Sequence, residues 1–135
     1  MINVPETTLT FAAILSVFMI VLSVRVLDLR GSPVTKFLHK SNRVFDDDTL
    51  ERSIRGHGNL VEYAPLFLIL MLAVELSGAP SEQLYFSGTV FTIGRLMHGI
   101  CFSFMKPNMF FRIGGMTLTF IGFIGLIRIS ILILL

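Results

Sequence analysis

The chain has 135 residues, a formal net charge of +2 and 53% hydrophobic residues, with only 15% charged ones. Soluble domains carry about 25% charged residues, so this composition excludes an ordinary water-facing surface. The small net charge, with no basic tail and no array of basic and aromatic residues, gives no reason to expect a nucleic-acid partner.

Four apolar stretches follow one another along the chain, at about residues 9–24, 60–74, 84–105 and 116–135. With its flanks, each stretch reaches the roughly 20 residues that a helix needs to cross a bilayer. We therefore predict an all-α integral membrane protein that forms one four-helix up-down bundle over residues 1–135. The predicted elements are helices at 6–30, 49–77, 82–105 and 109–135, with a cytoplasmic loop at 31–48.

The first predicted helix begins near Pro5 and ends before Gly31 and Pro33, because a glycine followed closely by a proline is a common helix stop. Its last turns carry Arg25 and Arg30. The segment lacks the basic start of a signal peptide, and its apolar run is too long for one. We therefore interpret it as a membrane helix.

The second predicted helix joins a charged loop to a long apolar run. In a helix, Arg55, Asn59 and Glu62 fall at i, i+4 and i+7, so a cation, an amide and an anion share one face. Glu62 is expected inside the apolar span, beside Pro65, which is expected to bend the helix. A carboxylate is costly at that depth, and it marks a functional-site hypothesis.

The third and fourth predicted helices carry three further polar residues. Arg95 and His98 lie three residues apart and share one face, and Arg112 stands at the head of the fourth helix. Cys101 follows His98 by one turn, but no further histidine or cysteine completes a set of metal ligands. We expect no bound metal.

Loop charge predicts the orientation of the bundle. The segment from residue 30 to 55 carries these cations: Arg30, Lys36, Lys40, Arg43, Arg52 and Arg55. The 106–112 turn carries Lys106 and Arg112, whereas the first residues and the 78–82 turn carry no Lys or Arg. By the positive-inside rule, loops 31–55 and 106–112 face the cytoplasm and both termini face outside. Arg128 is then the one cation on the outer side.

In this orientation Arg95 and His98 approach the same side of the membrane as Arg55 and Arg112. These cations outnumber Glu62, the one carboxylate among them. Two interpretations stay open. The arginines contact lipid phosphates or pair with acidic residues, or the cluster binds a small zwitterionic peptide whose carboxylates and ammonium group it matches. Residue spacing alone does not name that ligand.

Three motifs resemble those of the MAPEG family, membrane-associated proteins in eicosanoid and glutathione metabolism. The segment 54–65 resembles the family's Arg-x-His-x-Asn-x-x-Glu-Tyr-x-Pro signature, and the segment 94–98 resembles its Gly-Arg-x-x-His motif. The segment 111–118 resembles the head of the family's fourth helix, especially in small bacterial members similar to microsomal glutathione transferases. The resemblance covers about residues 44–120 and keeps the motifs in the family's order.

The resemblance implies a homotrimer that binds glutathione, as co-substrate, between subunits near the cytoplasmic side. The residues it implies for glutathione binding are Arg55, His57, Asn59, Glu62, Tyr63, Arg95 and His98. One arginine of the first helix, Arg30 or Arg25, is expected to join them, with Arg30 slightly favoured. Arg112 is the implied catalytic residue, facing the sulfur.

The implied activity is that of a glutathione transferase, which activates glutathione as a thiolate for attack on a lipophilic electrophile dissolved in the membrane lipid. A glutathione peroxidase activity is also compatible with the resemblance. In bacteria, a member of this family is expected in the inner membrane. His57 and Phe102 stand where some eicosanoid-synthase relatives carry glutamine and tyrosine, which argues against a dedicated eicosanoid synthase. The alternatives are a non-catalytic lipid- or glutathione-binding scaffold of the same family and a small transporter or channel subunit.

Overall fold

The computed structural model describes residues 4–38 and 47–135, and within them the chain is helical and contains no strand. The α-helices are α1 Glu6–Leu29, α2 Asp47–Leu76, α3 Ser81–Phe104 and α4 Met109–Leu134. This confirms the predicted all-α class. Part of the predicted 31–48 loop, residues 39–46, lies outside the described residues. Pro33–Leu38 forms a short 3-10 helix, and α2 begins two residues before its predicted start at 49.

Three of the helices, α1, α2 and α4, are long and apolar enough to cross a membrane. The remaining helix, α3, is as long as α1, at 24 residues, but its sequence is less apolar. Its polar residues Arg95 and His98 are buried against the other helices, so they do not face the lipid. That α3 also spans the membrane stays a prediction from its length and its antiparallel packing against α4.

Glycines bring α3 and α4 into close backbone contact. A Cβ atom at Gly94 would lie 2.7 Å from the Gly115 carbonyl oxygen, and one at Gly122 would lie 2.7 Å from the Phe91 Cβ. Small residues at such crossings allow helices in a membrane to approach until their backbones touch. This contact fixes the relative position of the two helices that carry His98 and Arg112.

A cluster of three phenylalanines holds α2 to the α3–α4 pair. The Phe67 and Phe91 rings are stacked, with centroids 3.8 Å apart and planes inclined by 7°. The Phe123 ring meets both edge-on, at 5.3 and 5.5 Å. Stacked and edge-to-face geometries both suit the charge distribution of aromatic rings. The cluster therefore fixes the face that α2 turns toward its neighbours.

At two helix ends, side chains from a neighbouring helix form hydrogen bonds with the free backbone N–H or C=O groups. The two carboxylate oxygens of Glu75 accept hydrogen bonds from the backbone N–H groups of Thr7 and Thr8, each at 2.8 Å, at the start of α1. At the end of α3, Arg52 donates to the carbonyls of Cys101 and Met105. Helix ends carry unsatisfied backbone groups and a partial charge, which these side chains match.

The same end of α3 also receives Arg25 from α1. Its Nε donates to the Ser103 carbonyl at 3.2 Å, and its Nη1 forms an ion pair with Asp28 at 3.2 Å. The Arg25 guanidinium therefore ties the first helix to the third in the protomer. This contact gives Arg25 a structural role in addition to the ligand-binding role expected from the sequence.

Candidate functional site

A groove of about 590 Å³ opens between α2, α3 and α4, at the end of the bundle predicted to face the cytoplasm. Its walls come from the predicted site residues on three helices and a few neighbours. They are Ile54, Arg55, Gly58, Asn59, Glu62, His98, Phe102, Arg112 and Met116. The fold thus brings five of the predicted ligand-binding and catalytic residues to one concave surface.

The α2 wall presents Arg55, Asn59 and Glu62 along one face, because their i, i+4 and i+7 positions align on a helix. Arg55 forms an exposed ion pair with Glu51, four residues earlier. Within the protomer the Glu62 side chain is exposed, and its position inside the apolar span stays a prediction. Among the described residues, it forms no ion pair. Its carboxylate therefore faces outward from the bundle.

The wall from α3 and α4 is built around the Phe102 ring. The His98 ring stacks on it, with centroids 4.7 Å apart and planes inclined by 26°. The guanidinium carbon of Arg112 lies 5.7 Å from the Phe102 ring centroid, which is within the range of a cation–π contact. His98 is buried, and its Nδ1 has no hydrogen-bond partner in the described part of the chain. The Phe102 ring thus contacts both basic side chains of this wall, His98 and Arg112.

Arg95 lies behind the groove and not on its surface. Its side chain is only 1% exposed. Its Nε donates to the Thr119 hydroxyl at 2.9 Å, and its Nη1 donates to the Asn59 side-chain oxygen. Its guanidinium carbon lies 4.8 Å from the Tyr63 ring centroid. Arg95 therefore contacts Asn59 and Tyr63, two residues predicted to bind the ligand, on the side away from the groove.

This contact orients the Asn59 amide. An arginine side chain is a donor only, so it selects the oxygen of the asparagine amide as its partner. The amide nitrogen, which is a donor, is then the end of the side chain available to the groove. A ligand at this point meets an N–H group and needs an acceptor, such as a carboxylate or a peptide carbonyl.

Thr119 belongs to this arrangement although no sequence pattern pointed to it. It is 0% exposed, accepts from Arg95, and donates from its hydroxyl to the Gly115 carbonyl at 2.8 Å. It lies seven residues after Arg112, on the same face of α4, and that spacing is the one available signal. A single threonine in an apolar helix gives no other indication of its partner.

Besides Arg95, four predicted residues lie away from the groove surface of this protomer. His57 points toward α1, where its Nε2 lies 2.9 Å from the Ser23 hydroxyl. Arg25 contacts the end of α3, and Arg30 is exposed at the end of α1. Tyr63 lies one turn deeper, between Arg95 and Phe120. The protomer alone therefore separates the α1 residues from the Arg112 groove.

A second groove, of about 730 Å³, begins where the first one ends. Its lining is apolar except for the carboxylate of Glu62 and the hydroxyl of Tyr63, and the other residues are Leu66, Phe120, Phe123, Ile124 and Ile127. Glu62 lines both grooves. A polar surface near the predicted cytoplasmic end thus continues into an apolar one that runs along α2 and α4 toward the middle of the bundle.

The described residues offer neither a metal site nor an exposed thiol beside the polar groove. Within residues 4–38 and 47–135, no group of three or more His, Cys, Asp or Glu side chains is placed to hold a metal ion. Cys101 is buried, and its thiol donates to the Asn108 carbonyl at 3.4 Å. The chemistry of the polar groove therefore lies with its arginines, histidine, amide and carboxylate.

Comparison with known proteins agrees with these motifs. The model of the MAPEG family matches residues 8–132. The inner membrane protein YecN of Escherichia coli strain K12, and that of E. coli O6:H1 strain CFT073, are each 47% identical to this chain over 49 residues. Each alignment covers 36% of this chain and 37% of the relative, so it spans well under half of the relatives' length. No solved structure matches the chain.

Proposed function

The chain belongs to the MAPEG family, and from that premise we propose that it is a membrane-bound glutathione transferase. It is a multi-pass membrane protein, and its similarity to an inner membrane protein of E. coli assigns it to the inner membrane. The observation that carries the proposal is the polar groove, where Arg55, Asn59, Glu62, His98 and Arg112 are brought together.

The charges of this groove suit glutathione, which carries two carboxylates, one ammonium group and a thiol. Arg55 offers a planar pair of N–H donors to one carboxylate, and Asn59 offers an amide N–H to a second acceptor. Glu62, which faces outward without an ionic partner among the described residues, accepts from the ammonium group. The positive charge that these contacts leave unmatched is that of Arg112, which lies next to the glutathione sulfur.

Arg112 supplies the activation of the sulfur. A thiol has a pKa of about 8.5, so it is mostly protonated at neutral pH. Lowering this pKa by about two units requires about 2.7 kcal/mol of differential stabilisation. The Arg112 guanidinium contributes it, and the residue's place in the first turn of α4 adds the partial positive charge of a helix start.

The reaction is a nucleophilic substitution or addition. The thiol loses its proton to water, and the resulting thiolate forms a carbon–sulfur bond with the electrophile. In a substitution the leaving group departs with the electron pair of the bond that breaks, and in an addition the electrophile takes up a proton from water. No covalent enzyme intermediate is needed. A glutathione peroxidase reaction would use the same thiolate.

The apolar groove supports a lipophilic electrophile as second substrate. Phe120, Phe123 and Ile127 line it, and it reaches the polar groove at Glu62. The lining of this groove is apolar like the interior of the bilayer, so a substrate dissolved in the bilayer can move into it without crossing water. The two grooves together therefore accommodate a water-soluble thiol and a membrane-soluble partner side by side.

We propose that the protein is a homotrimer, as the family resemblance implies, because this assembly would account for the separated residues. His57 and Arg30 lie on the α1 side of the protomer, away from the Arg112 groove. In a ring of identical subunits each interface joins two different faces, and here these would be the α1 side of one copy and the groove side of the next. We therefore propose that each glutathione is held by two subunits, with Arg112 from one and the first-helix arginine from its neighbour.

The direct test is the ultraviolet absorbance of the thiolate. Adding glutathione to the purified protein is expected to produce it, and Arg112→Ala is expected to abolish it and to lower the turnover of a lipophilic electrophile about 100-fold. Lys106→Ala is the matched control, since Lys106 is an exposed cation in the neighbouring turn. Absence of glutathione binding at millimolar concentration in the unmodified protein would refute the proposal.

A second candidate function is a non-catalytic glutathione- or lipid-binding scaffold. Phe102 favours it, because this ring lies against both His98 and Arg112 and offers no hydroxyl to the sulfur. A scaffold would bind glutathione without turning over any of several electrophiles. Turnover that depends on Arg112 would exclude it.

A further inference from the structure

A third groove, of about 500 Å³, lies between α3 and α4 at the other end of the bundle. Its outer end carries Glu82, Gln83 and Arg128, and its apolar side includes Phe86, Ile121 and Ile124. It shares Ile124 with the apolar groove but none of the polar residues of the proposed glutathione site. No part of the proposed reaction uses it.

Arg128 is the residue of this groove for which a partner of opposite charge is expected. It is exposed in α4 among isoleucines, with Ile127 before it and Ile129 after it. A cation on an apolar membrane helix is costly unless an anion or water meets it. In residues 4–38 and 47–135, neither Arg128 nor Glu82 forms an ion pair, although both line the same groove.

The predicted span of α3 sets this groove at the depth of a lipid headgroup. Glu82 is the second residue of α3, in the first turn after the 77–80 connection from α2. The first turn of a spanning helix lies at the boundary between hydrocarbon and headgroups. Arg128 reaches the same groove, and its long apolar stem allows the guanidinium to extend toward that boundary.

We propose that this groove binds a zwitterionic phospholipid with a primary amine, of the phosphatidylethanolamine type, from the outer leaflet. Arg128 contacts the phosphate, and Glu82 accepts hydrogen bonds from the ammonium group. One acyl chain lies against Phe86, Ile121 and Ile124. Phosphatidylcholine lacks the N–H donors that Glu82 needs, and phosphatidylglycerol has no cation for it, so the charge pattern selects the amine-bearing lipid.

Native mass spectrometry of the purified protein tests this proposal, with phosphatidylethanolamine, phosphatidylcholine and phosphatidylglycerol offered at equal concentration. The unmodified protein is expected to retain phosphatidylethanolamine best. Arg128→Gln is expected to lower the retention of all three lipids about fivefold, since they share the phosphate, whereas Arg128→Lys keeps it. Glu82→Gln is expected to lower only the retention of phosphatidylethanolamine. Glu6→Gln is the matched control, because Glu6 is an exposed carboxylate in the first turn of α1.

Equal retention of the three lipids, or retention that Arg128→Gln leaves unchanged, would overturn the proposal. So would a preference for phosphatidylglycerol that increases in Glu82→Gln, because Glu82 would then repel the lipid. A change in the oligomer's mass in Arg128→Gln, measured by light scattering, would assign the groove to contact between copies of the chain. None of these outcomes depends on glutathione, so they leave the proposed activity to its own test.

Discussion

At the scale of single residues, the contact between Arg95 and Asn59 changes what the α2 motif presents to a ligand. The sequence placed Asn59 on the same face as Arg55 and Glu62 but left its amide orientation open. Arg95 takes the amide oxygen, so the groove receives the N–H end. Arg95 in turn depends on the Thr119 hydroxyl at 2.9 Å. A residue of α4 thus controls a binding group on α2.

Thr119→Val tests this chain of contacts. Valine has nearly the same shape but no hydroxyl, so the Arg95 Nε loses its acceptor, which costs about 1–3 kcal/mol for a buried group. We expect the Kd for glutathione to rise about three- to tenfold, measured by titration of the purified protein. Thr119→Ser retains the hydroxyl and is expected to restore binding. If valine and serine variants of equal thermal stability bind glutathione alike, Thr119 has only a packing role.

At the scale of elements, two kinds of contact hold the helices in place, close packing at glycines and charged side chains at helix ends. The α3–α4 crossing depends on Gly94 and Gly122, where another residue would overlap the facing helix. The start of α1 depends on Glu75 of α2, and the end of α3 on Arg52 of the same helix. The second helix therefore connects both ends of the bundle.

Gly122→Ala is expected to destabilise the protein by about 1–3 kcal/mol, because the added Cβ would lie 2.7 Å from the Phe91 Cβ and 3.0 Å from its Cα. The backbone of Phe91 cannot move without shifting α3. Gly114→Ala is the control with the same chemical change, since its Cβ would meet only the flexible end of Met97, at 3.3 Å. Thermal unfolding in detergent measures both. An equal loss of stability in the two variants would contradict the close crossing.

Glu75→Gln is expected to cost about 1–2 kcal/mol of stability, a typical value for the loss of a helix cap. The carboxylate accepts from two backbone N–H groups with two oxygens, at 2.8 Å each, whereas an amide offers only one oxygen. Hydrogen exchange at Thr7 and Thr8 should accelerate, while the end of α3 should keep its protection. Glu6→Gln, an exposed change in the same turn of α1, should leave both unaffected.

At the scale of the whole molecule, the protomer presents its polar and apolar grooves on its surface and does not enclose them. Glu62 and Arg112 are both exposed, and the α1 residues expected to complete the site lie elsewhere on the protomer. An enzyme that excludes water from a thiolate needs a covered site. A neighbouring subunit, as proposed from the family, would supply the cover and the missing residues together.

Mixed assemblies test this shared site. Arg112→Ala and Arg30→Ala are each expected to have very low activity alone, since every site of either trimer lacks one arginine. Co-expressed in equal amounts, they are expected to regain about a quarter of the activity, because random mixing pairs an intact groove side with an intact α1 side at that frequency. Activity measured on the purified mixture, with its mass from light scattering, gives the result. No recovery in a mixed trimer would place both arginines in one subunit.

The sequence by itself determined the helical class and the approximate ends of the helices, because apolar runs of spanning length and a few turn residues are local signals. It also placed Arg55, Asn59 and Glu62 on one face, since helical spacing is local as well. Only the tertiary structure decided that Arg95 lies behind the groove and that His57 turns toward α1. It also placed Arg25 at the end of α3. Contacts between residues of different helices depend on how closely the glycines allow those helices to approach and on how each helix is rotated. The spacing of residues within one helix does not contain that information.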